Sequence, residues 1–261
     1  MEVQVEVSHF SSIGFEIDFQ NPAWMSTLTR EYLPKCTASA LSPRDMVCLV
    51  KDPSGSELRL ALRKGTKNAA ELVTLNPGFD GESRVEVDIA ADVSDPDWKP
   101  FEVAMTARFR GEETPLVFDL ADPAEAASLV PGAKVTLEIA AFSYAPSLFA
   151  NEAAYIKSQD GSQLYYAADF FIPSGMYKAS VGGLIPEGSK LPKAYADFAG
   201  TVLKAEFRTN AAGGGKFWWT LVRTYGGSTL DVVIDPTTIP GAPEVGSILS
   251  GRFWLSARLA R

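Results

Sequence analysis

The sequence is poor in the residue types on which most catalytic triads and metal sites depend. It contains one histidine, His9, and two cysteines, Cys36 and Cys48. With a single imidazole, a Ser-His-Asp triad or a histidine-based metal centre has only one candidate residue, close to the terminus. The two cysteines lack the C-x-x-C spacing of zinc or thioredoxin-like sites. We therefore predict no catalytic residue, no metal and no cofactor, and we expect both cysteines to be buried, reduced thiols.

The sequence also lacks a long apolar segment. The most apolar uncharged stretch, residues 139–150, is interrupted by Pro146 and falls short of the roughly 20 apolar residues that a membrane helix needs. The first seven residues alternate acids and glutamine with valine and contain no apolar core of a secretory signal. These features predict a soluble, cytoplasmic protein that has no membrane partner.

Positive charge is scarce as well. The chain carries 24 Lys and Arg against 32 Asp and Glu, a net charge of -8. This balance repels polyanions at long range and disfavours nucleic acid as a general partner. Only residues 196–261 are mildly basic, with seven cations against five acids.

What the sequence does contain is alternation of apolar and polar residues, the signature of half-buried strands. It occurs in residues 84–89, 57–62, 15–19 and 2–7. Residues 46–50 and 58–62 flank a Pro-Ser-Gly-Ser turn, which predicts a hairpin. The glycines at 213–215 do not form a P-loop, because Phe217 stands where that motif needs Ser or Thr. They predict a flexible hairpin tip.

Two short helices are expected. Asp122-Pro123 places an N-cap residue and a proline at the first helical position, ahead of a helix near 123–129. Asn21-Pro22 opens a second segment that should run to about Leu33.

A weak internal repeat suggests duplication. At an offset of 116 residues, Phe101, Met105 and Phe109 align with Phe217, Leu221 and Tyr225. The repeat divides the chain into an N-terminal β-rich segment (1–80), a central unit (81–150), an aromatic-rich connector (151–195) and a C-terminal unit (196–261).

Both units predict a mainly β-fold of tandem small antiparallel barrels. Strands near 84–91, 100–110, 114–119 and 133–142 flank the helix near 123–129, and this order resembles that of the OB-fold. The resemblance implies a fifth strand, which could come from residues 152–170. In the C-terminal unit the closing strand is missing. Either the connector supplies it, or the open edge pairs with another copy in a homo-oligomer. A β-sandwich and SH3-like barrels remain alternatives.

The candidate binding residues follow from strand parity. In the central unit, Phe101, Val103 and Met105 are expected to face the core. The repeat aligns them with Phe217, Trp219 and Leu221, so Trp218, which alternates with these residues, should point outward. Similar sorting of the last strand places Trp254 outward, and Asp231 is expected to face outward on the neighbouring strand. The predicted surface consists of Lys216, Trp218, Arg252, Trp254 and Arg258.

Exposed aromatic rings beside cations are typical of binding surfaces. We expect a non-catalytic binding or protein-interaction module. Single-stranded nucleic-acid or glycan binding through the C-terminal unit is one alternative, and a carboxylate-dependent hydrolase is another. Alternatively, the connector covers Trp218 and Trp254, in which case these residues have a packing role and bind no ligand.

Overall fold

A computed structural model describes residues 9–21, 23–65, 70–144, 146–174 and 192–260. The fold is mainly β, as predicted, and its strands lie in two sheets. Sheet 1 is antiparallel, has the order β1-β2-β3-β4, and lies within the N-terminal segment. Its strands are β1 (Thr37–Ala40), β2 (Asp45–Lys51), β3 (Ser56–Lys64) and β4 (Ala70–Phe79). The β2–β3 pair confirms the predicted hairpin.

Sheet 2 contains ten strands and mixes antiparallel with parallel pairing. Its strands are β5 (Val85–Asp92), β6 (Ala104–Phe109), β7 (Pro115–Leu120), β8 (Lys134–Ser143), β9 (Ser147–Phe149), β10 (Phe171–Pro173), β11 (Tyr195–Thr209), β12 (Lys216–Arg223), β13 (Thr229–Ile234) and β14 (Ile248–Leu259). Four of them, β5 to β8, lie close to the strand positions predicted for the central unit.

Strands β8 and β14 join the central and C-terminal units. The first part of β14, Ile248 to Trp254, pairs with β11, and the last part, Leu255 to Leu259, pairs with β8. β14 also pairs in parallel with β7, and β13 pairs in parallel with β8. The pairings therefore form two circuits, β8-β5-β6-β7-β14 and β14-β11-β12-β13-β8, which share β8 and β14.

The helical segments are short, and those that begin at Ala23 and Pro123 lie where the sequence predicts helices. Helix α1 (Ala23–Thr27) continues into a π-helical turn (Leu28–Tyr32), and α2 spans Glu152–Lys157. In equivalent places before β8 and β14, two 3-10 turns span Pro123–Ser128 and Pro236–Thr238. The side chains of Asp122 and Asp235 cap these turns by accepting from Ala124 N and Thr237 N.

Two apolar cores form on opposite faces of the same strands. Core 1 lies within the two circuits and contains Met105, Phe118, Ile139, Val222 and Phe253. Core 2 lies between sheet 1, residues 10–32 that precede it, and the other face of β8, β12 and β13, and includes Phe15, Leu58, Phe142, Phe217 and Trp219. Because both faces of these strands are covered, their apolar residues occupy both parities.

Residues 14 and 15 dock on the glycine-rich turn between β11 and β12. Gly215 N donates to Gly14 O over 3.1 Å, and Phe15 forms an isolated bridge with Gly214. A Cβ at Gly213 would lie 2.2 Å from Gly14 O, so the close approach requires glycine there. These glycines lie at the turn of the β11–β12 hairpin, as predicted, and they serve as a docking point for residues 14 and 15; the predicted flexibility of the turn stays a prediction.

Several local predictions are wrong. The expected strand at 15–19 contributes only the bridge at Phe15, and α2 occupies part of 152–170, where a fifth strand was expected. Cys36 and Cys48 are joined by a disulfide, with 5.4 Å between their Cα atoms, so they are not reduced thiols. The predicted strand at 2–7 lies outside the described residues.

The 116-residue register of the repeat is also wrong. Met105 belongs to core 1, whereas Leu221 packs against core 2, so the two residues face different layers. The element order nevertheless recurs, since three strands, a capped 3-10 turn and a fourth strand appear in both units. Leu116 and Phe118 face core 1, and so do Leu230 and Val232 in the C-terminal unit. The sequence offset between these two pairs is shorter than the 116 residues of the predicted repeat.

Candidate ligand-binding cavity

A cavity of about 530 Å³ lies between sheet 1 and the neighbouring part of sheet 2. Residues 74–77 of β4 form one wall. Residues 101–103 and 119–121, with Trp254 and Ser256 of β14, form the other. About a third of the lining residues are aromatic: His9, Phe10, Phe19, Phe101, Tyr144, Tyr195 and Trp254. A concave space in which aromatic rings and polar side chains converge has the character of a ligand site.

Trp254 is the central aromatic residue of this cavity. Its ring stacks on His9 with 5.2 Å between centroids and packs against Phe142 at 4.8 Å. Its indole Nε1 donates to Asp119 Oδ2. The contacts fix the ring by its face and by its polar edge, so Trp254 forms a rigid wall.

Asp119 is the buried carboxylate of the cavity. It occupies β7 between Phe118 and Leu120, and β7 pairs with β14 near Trp254. Burial raises the pKa of Asp119 to about 6, the hydrogen bond from Trp254 opposes the rise, and the charge of Glu102 adds to it. No cation forms an ion pair with Asp119 or Glu102 among the described residues.

His9 is held neutral by its surroundings. Burial lowers its pKa to about 4. Its Nε2 lies 2.6 Å from Tyr144 Oη, whereas its buried Nδ1 has no hydrogen-bond partner within the described ranges. The imidazole therefore contributes an uncharged ring to the cavity at neutral pH.

The positive charge on the opposite wall is already neutralised. Arg59 donates to Glu57 Oε2 over 2.8 Å, and Glu57 also accepts two hydrogen bonds from Arg258. Burial tends to raise the pKa of Glu57, but the hydrogen bonds and charges of Arg258 and Arg59 outweigh it and lower the pKa to about 2. Glu57 is thus ionised at neutral pH and pairs with both guanidinium groups, and the carboxylates of Asp80 and Glu138 lie 3.9 and 4.0 Å from the guanidinium of Arg258.

The five residues of the predicted surface do not form one site. Trp254 lines the cavity. Arg258, expected to point outward, is 6% exposed and lies between the two sheets. Arg252 is exposed and forms a bidentate ion pair with Asp197, at 2.8 and 3.0 Å.

Lys216 and Trp218 lie elsewhere, on the β11–β12 hairpin. Trp218 is half-buried against core 1 and packs on Phe207, with 4.8 Å between ring centroids. Lys216 Nζ lies 5.9 Å from the centre of the Phe207 ring, which is 50% exposed. These three residues form a small aromatic and cationic patch, separate from the cavity.

The residues of β12 that face core 1 are the ones that were predicted to point outward. Val222 is buried in core 1, whereas Phe217 and Trp219 face core 2. Asp231, expected to face outward, is 1% exposed and accepts hydrogen bonds from Trp219 Nε1, Glu82 N and Ser83 N. The face of β12 that was predicted to be free, with Trp218 and Val222, therefore lines core 1, and sheet 1 packs against the opposite face.

Sequence reasoning missed His9, Tyr144 and Asp119 as cavity residues. Asp119 carried a usable signal, because it is the only charged residue in the run from Leu116 to Ala121 and therefore had to lie on a partly covered face. His9 and Tyr144 carried none, since they meet only through folding.

Neither a known family model nor a curated protein matches the chain. Among the described residues, no helix has the length and apolar character needed to cross a membrane. The same ranges contain no group of three or more His, Cys, Asp or Glu side chains placed to hold a metal ion.

Proposed function

We propose that the protein is a non-catalytic binding module whose ligand, a small molecule or a side chain of a protein partner, occupies the cavity between the two sheets. The observation that carries this proposal is the combination of Trp254 with Asp119. A ring fixed on both its face and its edge offers a preorganised contact surface, and the carboxylate beside it offers one directional polar contact.

The proposal includes a finer view of the architecture. The two strand circuits that share β8 and β14 support a pair of fused, barrel-like units that arose by duplication, with sheet 1 as an added layer. β14 is paired with β11 and β8 along its length. Homo-oligomerisation through that strand stays a prediction, although the open strand edge on which it was based is occupied by these pairings.

Localisation stays a prediction as well. The sequence favoured the cytoplasm, but the Cys36–Cys48 disulfide favours an oxidising compartment, because disulfides rarely persist in reducing cytosol.

The direct test follows the tryptophan indole signals by ¹H–¹⁵N NMR, with Trp254→Phe assigning the cavity signal. Four probes represent the main ligand classes: choline, cellobiose, succinate and a Gly-Gly dipeptide. We expect at least one to shift the Trp254 signal and to leave the signal of Trp219, buried in core 2, in place. If none shifts Trp254, the cavity is not a binding site for these classes and the proposal fails.

A second candidate is a carboxylate-dependent hydrolase, favoured by the presence of Asp119 and Glu102 in one cavity and by the raised pKa of Asp119. A group with a pKa near 6 could act as a general acid. Hydrolysis of nitrophenyl glycosides or esters that is lost in both Asp119→Asn and Glu102→Gln would favour this candidate. Activity that survives both substitutions would exclude these carboxylates.

A third candidate, nucleic-acid or glycan binding, rests on the patch of Phe207, Lys216 and Trp218. Its small area and the chain's net charge of -8 count against polyanions. Salt-sensitive quenching of Trp218 fluorescence by an oligonucleotide, absent in Trp218→Phe, would support it.

A further inference from the structure

We propose that the cavity selects a ligand that carries an organic cation, a primary or quaternary ammonium group of the kind found in choline or in a lysine side chain. This inference rests on the proposed function, because it assumes that the cavity binds a ligand, and it adds the chemical class.

The first argument is charge compensation. Asp119 is partly buried, yet its hydrogen bond comes from a neutral indole, and Glu102, which is exposed, has no ion-pair partner among the described residues. Arg59, the cation of the lining, is committed to Glu57 and its side chain is only 11% exposed. The cavity therefore presents negative charge that the described part of the chain leaves uncompensated. A partly buried carboxylate is less well solvated than one at the surface, so a cation bound beside Asp119 would gain more than at the surface.

The second argument is the aromatic lining. Cations are attracted to the faces of aromatic rings within about 6 Å, most strongly to tryptophan. One ring of the lining, Phe101, already has a cation on its face: the guanidinium of Arg63 lies 4.8 Å from the ring centre. Trp254, Tyr144 and Tyr195 supply further rings around the carboxylates. His9 adds a ring that stays uncharged at neutral pH, so it does not repel a cation.

The third argument concerns the alternatives. An anionic ligand would meet two uncompensated carboxylates and a committed arginine, which disfavours it. A neutral sugar could stack on Trp254, but it would leave the charge of Asp119 without a counterion. An ammonium group contacts the faces of the aromatic rings and also balances the negative charge of the carboxylates.

Binding should depend on pH because the cation favours ionised Asp119. The titratable or charged groups around Asp119 in the cavity are His9, Arg59, Glu102, Tyr144 and Tyr195. Of these, His9 is neutral across the relevant range and Arg59 stays charged with Glu57. Affinity should therefore fall as the pH drops below about 6, where Asp119 becomes protonated.

The test compares choline with 3,3-dimethylbutan-1-ol, which has the same shape and no charge, by NMR titration of the Trp254 indole in the full chain. We expect choline to shift this signal with a dissociation constant at least about tenfold lower than that of the alcohol, the size of one charge-assisted contact. Asp119→Asn should remove that difference. Glu113→Gln, which neutralises an exposed acid outside the cavity lining, should preserve it.

The outcomes separate the two proposals. Equal binding of choline and the alcohol, or binding of cellobiose or succinate without choline, would overturn the inference and leave the binding module intact. A response to none of the probes would overturn both. Should Asp119→Asn fail to fold, loss of choline affinity by wild-type protein between pH 7 and pH 5 provides the second measurement, and unchanged affinity over that range would contradict the role of Asp119.

Discussion

The guanidinium of Arg258 donates two hydrogen bonds to the carboxylate of Glu57, at 3.1 and 2.7 Å, across a sequence separation of 201 residues. Its Nη2 also donates to Phe79 O over 2.9 Å. The side chains of Arg258 and Glu57 are 7% and 1% exposed, so the pair lies in the interior. It fastens sheet 1 to β14 and thereby holds the two walls of the cavity together.

Removing this contact should destabilise the protein strongly. Arg258→Ala leaves Glu57 buried with only part of its compensation, and breaking a buried pair in this way typically costs about 3–5 kcal/mol. Arg252→Ala is the matched control, because Arg252 lies in the same strand and forms an exposed ion pair, for which we expect a loss below about 1 kcal/mol. Urea denaturation measures both. Equal losses would show that Arg258 does not connect the layers.

The two adjacent tryptophans of β12 should differ in their contribution to stability. Trp219 is fully buried in core 2, donates to Asp231 over 2.8 Å, and has Arg208 4.0 Å from its ring centre. Trp219→Ala should cost about 3–5 kcal/mol. Trp218→Ala should cost clearly less, because Trp218 is only half-buried. The denaturant midpoints of the two variants decide this, and a larger shift for Trp218→Ala would be the contrary result.

Between pH 6 and pH 4, the titrations of His9 and Asp119 should together change the free energy of unfolding only a little, because their effects oppose each other. The folded-state pKa of His9 is lowered from 6.5 to about 4, so its contribution to stability falls as the pH drops through this range. The folded-state pKa of Asp119 is raised from 3.8 to about 6, so its contribution falls as the pH rises through nearly the same range.

Asp119→Asn should reveal the opposing effects. Without the titration of Asp119, the free energy of unfolding should fall relative to wild type on acidification from pH 6 to pH 4, by up to about 3 kcal/mol. The measurement is urea denaturation of both proteins at several pH values. A constant difference between them across this range would mean that Asp119 titrates as an ordinary carboxyl group.

The disulfide should contribute to stability through sheet 1. Cys36 directly precedes β1 and Cys48 lies in β2, so the bond closes a loop with a sequence separation of 12. Its removal in the Cys36→Ser, Cys48→Ser double variant should cost about 3 kcal/mol. Thiol titration of the unfolded, unreduced protein should find no free thiol, and two free thiols would contradict the bond.

The local sequence determined much of the secondary structure. Alternation located β3 and β5, turn chemistry located the β2–β3 hairpin, and the Asp-Pro pair at 122–123 located a helical turn. These signals are local, because strand pleating and N-capping depend on residues that lie next to one another in the chain.

The same local signals could not tell which layer each face of a strand meets. Alternation in β12 separates Phe217 and Trp219 from Trp218 and Val222, but both faces are covered by apolar layers, so periodicity could not assign them. The tertiary structure assigned them by placing sheet 1 over one face. The same packing joined Arg258 to Glu57 and brought His9, Asp119 and Trp254 into one cavity. These contacts span large sequence separations, so they arise from the packing of sheet 1 on sheet 2 and leave no pattern in the sequence around any single residue.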